Sequence, residues 1–419
     1  MFTLTGRVGR SIFAAPCLLF FMLAAPPVMA QTEPAPPQGT LVIIGGALRT
    51  DNAEVWDRIV ALAGGKGARI AVFGTAAADP VSAGQKNVER LKRSGAAAFF
   101  VPVTAHPAGS DQRAAMDPAI AEQVRTAAGA FFTGGDQGRI TAALRLPGRG
   151  NTRVLDALWQ MYRRGGVIAG TSAGAAIMSS TMFYDAPSVL ATLQHGVADG
   201  AELAPGLGFI GPDVFVDQHL LVRGRFARML PAMLAKHYQL GLGIDENSAM
   251  IVHPEREVEV LGYKGALLLD LRHASSSAGT FNLSNASVSY LDSGDRYNLD
   301  SGVFTPAPEK AGARLAAGPP SQRGPIFFPD ILASGALVQL MSRLIDSDQR
   351  EALGLAWSGA AEPQADLGFE FRFSRTDASM AYQSSIADTC SILNLRLDVR
   401  PVTIHQPVYT YRQAPATPP

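Results

Sequence analysis

Ser172 stands in the run Gly170-Thr171-Ser172-Ala173-Gly174, which fits the Gly-x-Ser-x-Gly pattern of a nucleophile elbow. The apolar residues Val167, Ile168 and Ala169 precede it, and the helix-forming run Ala175-Ala176-Ile177-Met178 follows. A serine so placed occupies a sharp strand-to-helix turn with its hydroxyl clear of the sheet. The N–H groups of the helix start, Ala173 first, favour the oxyanion of an acyl-transfer intermediate. The same pentapeptide fits a plain strand–helix turn or a phosphate-binding loop, so partners must decide.

A serine nucleophile needs a base. The sequence holds seven histidines, His106, His195, His219, His237, His253, His273 and His405. His219 stands out because it follows the apolar run Val214-Phe215-Val216 and the polar pair Asp217-Gln218, which places it at a strand end as Ser172 is placed. Arg223, Arg225 and Arg228 come next. A third group must orient the imidazole. Gly243-Ile244-Asp245-Glu246-Asn247 offers two adjacent carboxylates, of which only one can easily face the site. The residues themselves leave Asp245 and Glu246 as alternatives. Phe132-Thr133-Gly134-Gly135-Asp136-Gln137 puts a Gly pair at another strand end, where a backbone N–H, taken as that of Gly135, would be the second oxyanion donor and Gln137 would fix a polar substrate group.

Three other features carry less. Gly206-Leu207-Gly208-Phe209-Ile210-Gly211 fits a dinucleotide-binding pattern, but Pro212-Asp213 and a strand follow where a helix is required. No His-Glu-x-x-His or Cys-x-x-Cys run supports a metal, and no cofactor is expected. Cys390 lacks a Gly-rich turn or helix start around it and reads as a structural thiol.

Positioning these residues takes alternating strands and helices. Short apolar runs at residues 41–44, 69–73, 128–132 and 166–169 end in glycine or in a Gly-containing turn, another candidate strand covers 98–103, and helical stretches at 55–64, 140–144 and 154–164 lie between them. This pattern predicts an α/β domain with a mainly parallel sheet flanked by helices, whose sites gather at the carboxyl ends of strands. After about His253 the alternation fades. Strands and turns are expected at 257–269 and 281–299, a helix at 330–345, and a half-buried strand where Leu393, Leu395, Leu397 and Val399 alternate with polar residues. The division is therefore a catalytic domain over 41–305, a linker rich in Pro, Ala and Gly over 306–325, and a C-terminal α+β extension over 326–419.

The first thirty residues read as a secretory signal peptide. Arg7 and Arg10 give a positive start, residues 12–25 are largely apolar, and Val28-Met29-Ala30 supplies small residues at the cleavage position. The apolar run falls short of the roughly 20 residues a membrane span needs. A Pro-rich tether follows over 31–40. Cleavage after Ala30 removes Cys17 and leaves Cys390 alone, so the mature protein depends on its core rather than on disulfides. The formal net charge of +0 gives no reason to expect nucleic acid as a partner. A secreted or periplasmic protein, off the membrane once cleaved, is the expectation.

Taken together and in this order, Leu41-Val42-Ile43-Ile44-Gly45-Gly46, Thr133-Gly134-Gly135-Asp136-Gln137, Gly170-Thr171-Ser172-Ala173-Gly174-Ala175-Ala176, Asp217-Gln218-His219 with its arginines, and Gly243-Ile244-Asp245-Glu246 resemble the cyanophycinases. The resemblance covers about residues 41–302. It implies a flavodoxin-like or class I glutamine-amidotransferase-like fold shared with the aspartyl dipeptidases. It implies a serine exopeptidase acting on cyanophycin, a poly-aspartate backbone with arginine on its side-chain carboxyls, to release β-Asp-Arg. By this resemblance Ser172 is the nucleophile, His219 the base and Glu246 its orienter. Gln137, Asp217, Gln218, Arg223, Arg225 and Arg228 fall at substrate-binding positions, with Asp217 holding guanidinium and Arg225 and Arg228, three apart on one helix face, meeting carboxylate. The polymer is the expected partner, and the reading admits a homodimer. An aspartyl or isoaspartyl dipeptidase of the same fold and a non-catalytic exported binding protein are the rival readings. A glutamine amidotransferase would need cysteine where Ser172 stands.

Overall fold

The computed structural model describes residues 37–104, 112–310, 323–358, 364–383 and 390–405, with isolated positions before residue 10. Most of the expected signal peptide and residues 31–36 of the tether lie outside the described residues, as do His106 and most of the expected linker.

The first part of the chain builds strands β1 (Thr40–Ile44), β2 (Arg69–Phe73), β3 (Ala97–Val101), β4 (Gly129–Phe132) and β5 (Val167–Thr171). They pair in the order β1-β5-β4-β2-β3, all parallel. Helices Ala53–Leu62, Pro80–Arg93, Gln137–Leu144 and Arg153–Arg163 alternate with them. Each begins on a side-chain cap, from Asn52, Asp79, Asp136 and Thr152 in turn, which satisfies an orphan N–H of the first turn. β1 and β4 are buried along their whole length and read as unbroken apolar runs because helices cover both faces of the sheet.

A small hairpin, β6 (Thr181–Phe183) with β7 (Leu203–Pro205), follows. The chain then moves between two sheets. β8 (Val214–Gln218) and β9 (Leu240–Ile244) pair in parallel in a second sheet. β10 (Ser248–Val252) returns to the first sheet beside β1, now antiparallel, and β11 (Glu257–Gly262) adds to it. β12 (Ala266–Asp270) goes back to pair with β9, and β13 (Leu283–Leu291) joins β12. The strands and turns expected over 257–269 are thus two strands, and they lie in two different sheets. β14 (Arg296–Asn298) and β15 (Phe304–Thr305) close the first sheet, a mixed sheet of nine strands among the described residues.

The residues after 325 complete the second sheet. They supply β16 (Ile326–Phe328), β17 (Glu351–Ala356), β18 (Leu367–Ser374), β19 (Met380–Gln383) and β20 (Cys390–Thr403). Along the sheet the order is β16-β17-β18-β20-β13-β12-β9-β8, with β19 also on β20. β20 thus lies between β18 and β13, and Phe369, Phe371, Leu395 and Leu397 share one apolar cluster with Phe215, Met229 and Leu267. Lys310 fastens the same seam. Fully buried, it pairs with Asp292 at 3.0 Å and Asp295 at 3.1 Å and donates to Ser391 Oγ at 3.0 Å. Burial holds the Asp295 carboxyl above the usual carboxylate range, against the hydrogen bond from Ser391 and the charge of Lys310.

Candidate active site

The site lies where the two sheets meet. Ser172 follows β5, His219 follows β8, and Glu246 sits in the three-residue step from β9 to β10. Three successive carbonyls at the end of β1 tie these segments together. Ile44 O accepts the N–H of Ser172 at 3.0 Å, Gly45 O that of His219 at 2.8 Å, and Gly46 O that of Asn247 at 2.8 Å. Space is as tight as this geometry implies. A Cβ on Gly46 would stand 2.2 Å from the His219 ring, and one on Gly45 would stand 2.0 Å from Asp245 O. The sequence marks Gly45-Gly46 only as a strand end, and its part in seating the base was missed.

Ser172 has φ 53° and ψ −108°, outside the regions an L-residue prefers. The turn explains its flanking glycines. A Cβ on Gly170 would meet Gly174 O at 2.2 Å, and one on Gly174 would meet Phe132 O at 2.5 Å. A four-residue helix, Ala173–Ala176, leads away. Ser172 Oγ lies 2.8 Å from His219 Nε2, and His219 Nδ1 lies 2.6 Å from Glu246 Oε1. Nucleophile, base and orienter therefore form one hydrogen-bonded chain. Burial lowers the His219 pKa, and Arg223 and Arg225 lower it further, while the hydrogen bond to Glu246 pulls the other way. A lowered pKa favours the neutral ring that a general base requires.

Of the two carboxylates, Glu246 faces His219. Asp245 is fully buried, accepts from Val222 N at 3.2 Å and from Lys264 Nζ at 2.7 Å, and so holds the loop after His219.

Ser172 and His219 open into a cavity of about 330 Å³ that Gly135, Gln137, Phe183, Tyr184, Asp185, Ala186, Gln218, Arg223, Arg225 and Arg228 also line. The two arginines expected to act together differ. Arg228 is buried and forks onto Asp217 with bonds of 2.7 and 2.8 Å, while its guanidinium lies 4.0 Å from the centroid of Phe183. Asp217, 2% exposed, is committed to that pair, so it does not present a free carboxylate to a substrate guanidinium. Arg225 gives one N–H to Gln218 O at 3.0 Å, and burial together with the nearby Arg228 pushes its pKa down to about 10, which leaves it charged. Arg223 is exposed, and among the described residues no carboxylate forms an ion pair with it. Gln218 Oε1 is buried without a hydrogen-bond partner among the described residues.

Gln137 also differs from expectation. Its amide donates to Phe183 O at 2.7 Å and Tyr184 O at 3.2 Å, so it fixes the segment that roofs the cavity. Asp136 caps the helix beginning at Gln137. The Gly206–Gly211 run follows β7 as an irregular turn and leads into β8, with no helix at its end. Burial pushes the Cys390 thiol up to about 12, the value of an unreactive side chain. Among the described residues no group of three or more His, Cys, Asp or Glu is placed to hold a metal ion.

Residues 41–260 match the family model described as peptidase family S51. A cyanophycinase of Geminocystis herdmanii is 31% identical over 270 residues, 62% of this chain and 94% of the relative. One from Trichormus variabilis is 28% identical over 293 residues, 68% of this chain and 93% of the relative. Among solved structures, a peptidase from an acI-B1 Actinobacterium, 19% identical, aligns with 63% of this chain and 98% of its own at a TM-score of 0.45.

Proposed function

The chain belongs to peptidase family S51, and from that premise we propose that it is an exported serine exopeptidase hydrolysing cyanophycin to β-Asp-Arg dipeptides through an acyl-enzyme. The observation that carries the reading is the Ser172–His219–Glu246 chain opening into a cavity edged by Arg223 and Arg225. Each repeat of the polymer bears a free carboxylate on its arginine arm. Guanidinium groups at the cavity are the donors such a carboxylate seeks.

His219 Nε2 takes the Ser172 proton as Oγ attacks the carbonyl carbon of a backbone peptide bond. The oxyanion turns to the N–H groups of Ala173 and Gly135, and Glu246 steadies the imidazolium through Nδ1–H. His219 then gives its proton to the departing amine. Water, deprotonated by the same imidazole, attacks the ester and frees Ser172. Gln218 Oε1, lacking a partner, accepts an N–H from the substrate. Export rests on Arg7, Arg10 and the apolar run ending at Val28-Met29-Ala30. N-terminal sequencing of secreted protein is expected to begin at Gln31 or within a few residues of it.

The test is incubation of purified protein with insoluble cyanophycin and mass spectrometry of the soluble product. The β-Asp-Arg dipeptide is expected. Intact polymer, with rapid hydrolysis of an α-aspartyl dipeptide, would replace this reading with a dipeptidase.

A further inference from the structure

A second cavity, of about 660 Å³, adjoins the catalytic one. The turn leading into helix Gln137–Leu144 separates them. Gly135 and Gln137 face the catalytic cavity, Asp136, Gly138 and Arg139 face the second, and Tyr184 borders both. Tyr184 is 46% exposed, yet its backbone is pinned from two sides, by Gln137 Nε2 on its carbonyl and by its own N–H on Glu202 O at 2.8 Å. The ring lies against the backbone of Gly138, where a Cβ would stand 2.3 Å from Tyr184 Cε2. A large side chain held this firmly while facing solvent is a platform.

The chemistry of the second cavity is mixed. Pro80, Val81 and Ala142 offer apolar wall, and Asp136 and Arg139 offer one charge of each sign. Asp136 spends Oδ1 on the N–H of Gly138, and its other oxygen lies 3.7 Å from Arg139 Nε, too far for a hydrogen bond. Arg139 gives Nη1 to Ala77 O at 2.9 Å. Both side chains are more than a third exposed and keep charge available. A ligand matching this set has a methylene stem, a cation and an anion.

We propose that the second cavity holds the arginine arm of the repeat that adjoins the scissile bond's pair of repeats from outside, so that a two-repeat substrate leaves this cavity empty. Its guanidinium passes over the Tyr184 ring onto Asp136, its carboxylate meets Arg139, and its methylenes lie on Val81. The enzyme then grips two successive repeats, one on each side of Tyr184, and this rests on the cyanophycin reading. The size of the second cavity and its lack of any triad member suit holding without cutting.

The experiment compares synthetic cyanophycin of two repeats with cyanophycin of four or more, using wild type, Asp136→Asn and Val81→Arg. Asparagine keeps the helix cap, and Val81 is 55% exposed, so both variants leave the fold intact. KM for the longer substrate should rise about three- to fivefold, the worth of an exposed charge contact. The turnover number at saturation should not move, and the two-repeat substrate should be cleaved as by wild type. Equal effects at both lengths, or none at either, overturn the second subsite while the substrate reading stands. Wild-type protein that leaves every length intact overturns both together.

Discussion

Gly46→Ala tests how the base is seated. The new methyl would lie 2.2 Å from His219 Cε1 and 2.4 Å from Nε2. Ordinary carbon contacts begin near about 3.5 Å, so the ring must retreat by more than roughly 1 Å. His219 Nε2 now stands 2.8 Å from Ser172 Oγ, and a retreat of that size breaks the bond. A misplacement of about 1 Å costs on the order of 10²-fold in rate. Backbone strain must be separated from this contact, because Gly46 has φ +115°. Gly64→Ala is the control. Gly64 has φ +105° and nothing within 4 Å of its Cβ position, so it shares the strain without the collision. Each variant should lose about 1–3 kcal/mol of stability from the strained backbone. Only Gly46→Ala should lose about two orders of magnitude in kcat/KM, read on cyanophycin by dipeptide release and paired with urea denaturation. If both variants keep wild-type kcat/KM, the seating argument is wrong.

The remaining predictions concern the triad and its supports. Glu246→Gln should lower kcat by about 10²–10⁴-fold with little change in stability, whereas Asp245→Asn should cost about 1.5–3 kcal/mol in denaturation and leave kcat within a few fold; the reverse order would move the orienter by one residue. Ser172→Ala and Ser172→Gly should each lose at least about three orders of magnitude in turnover, and Ser172→Gly should be the more stable by about 1 kcal/mol because it relieves φ 53°; equal melting curves would deny the strain. Asp217→Asn leaves Arg228 buried without its carboxylate and should cost about 3–5 kcal/mol; an unchanged urea midpoint with a raised KM would return Asp217 to substrate binding. The acid limb of kcat/KM should show an inflection below 6.5, since burial lowers the His219 pKa, and an inflection above 6.5 would contradict it. Stability should fall on the same side, because below about 6.5 the unfolded chain takes up a proton that the folded protein resists.

What was legible in the sequence was local. A strand ending in glycine, a serine between two more, and a histidine after an apolar run each announce their geometry over five or six residues. Ser172 and His219 could therefore be placed at strand ends. Choosing Glu246 over Asp245 took the family resemblance, since alternation says only that one of the two faces inward. Pairings across space were not legible. Asp217 and Arg228 lie 11 residues apart and looked like two binding groups, but they neutralise each other in a buried fork. Gln137 looked like a substrate contact because nothing in the sequence places Phe183 and Tyr184 above it. The stretch over 257–269 hid a change of sheet inside its turn, and the strand run near Leu395 did not disclose that it would lie between β13 and β18.

That last placement fixes an order of events during synthesis. β13 is complete at Leu291, but the strand that covers its outer edge begins at Cys390. Asn285 N–H bonds Asp398 Oδ1 across 113 residues. A ribosome adding about 5–20 residues per second needs roughly 6–23 s to supply that distance. Throughout that interval the sheet bearing the base presents a long unpaired strand, the surface that invites wrong partners.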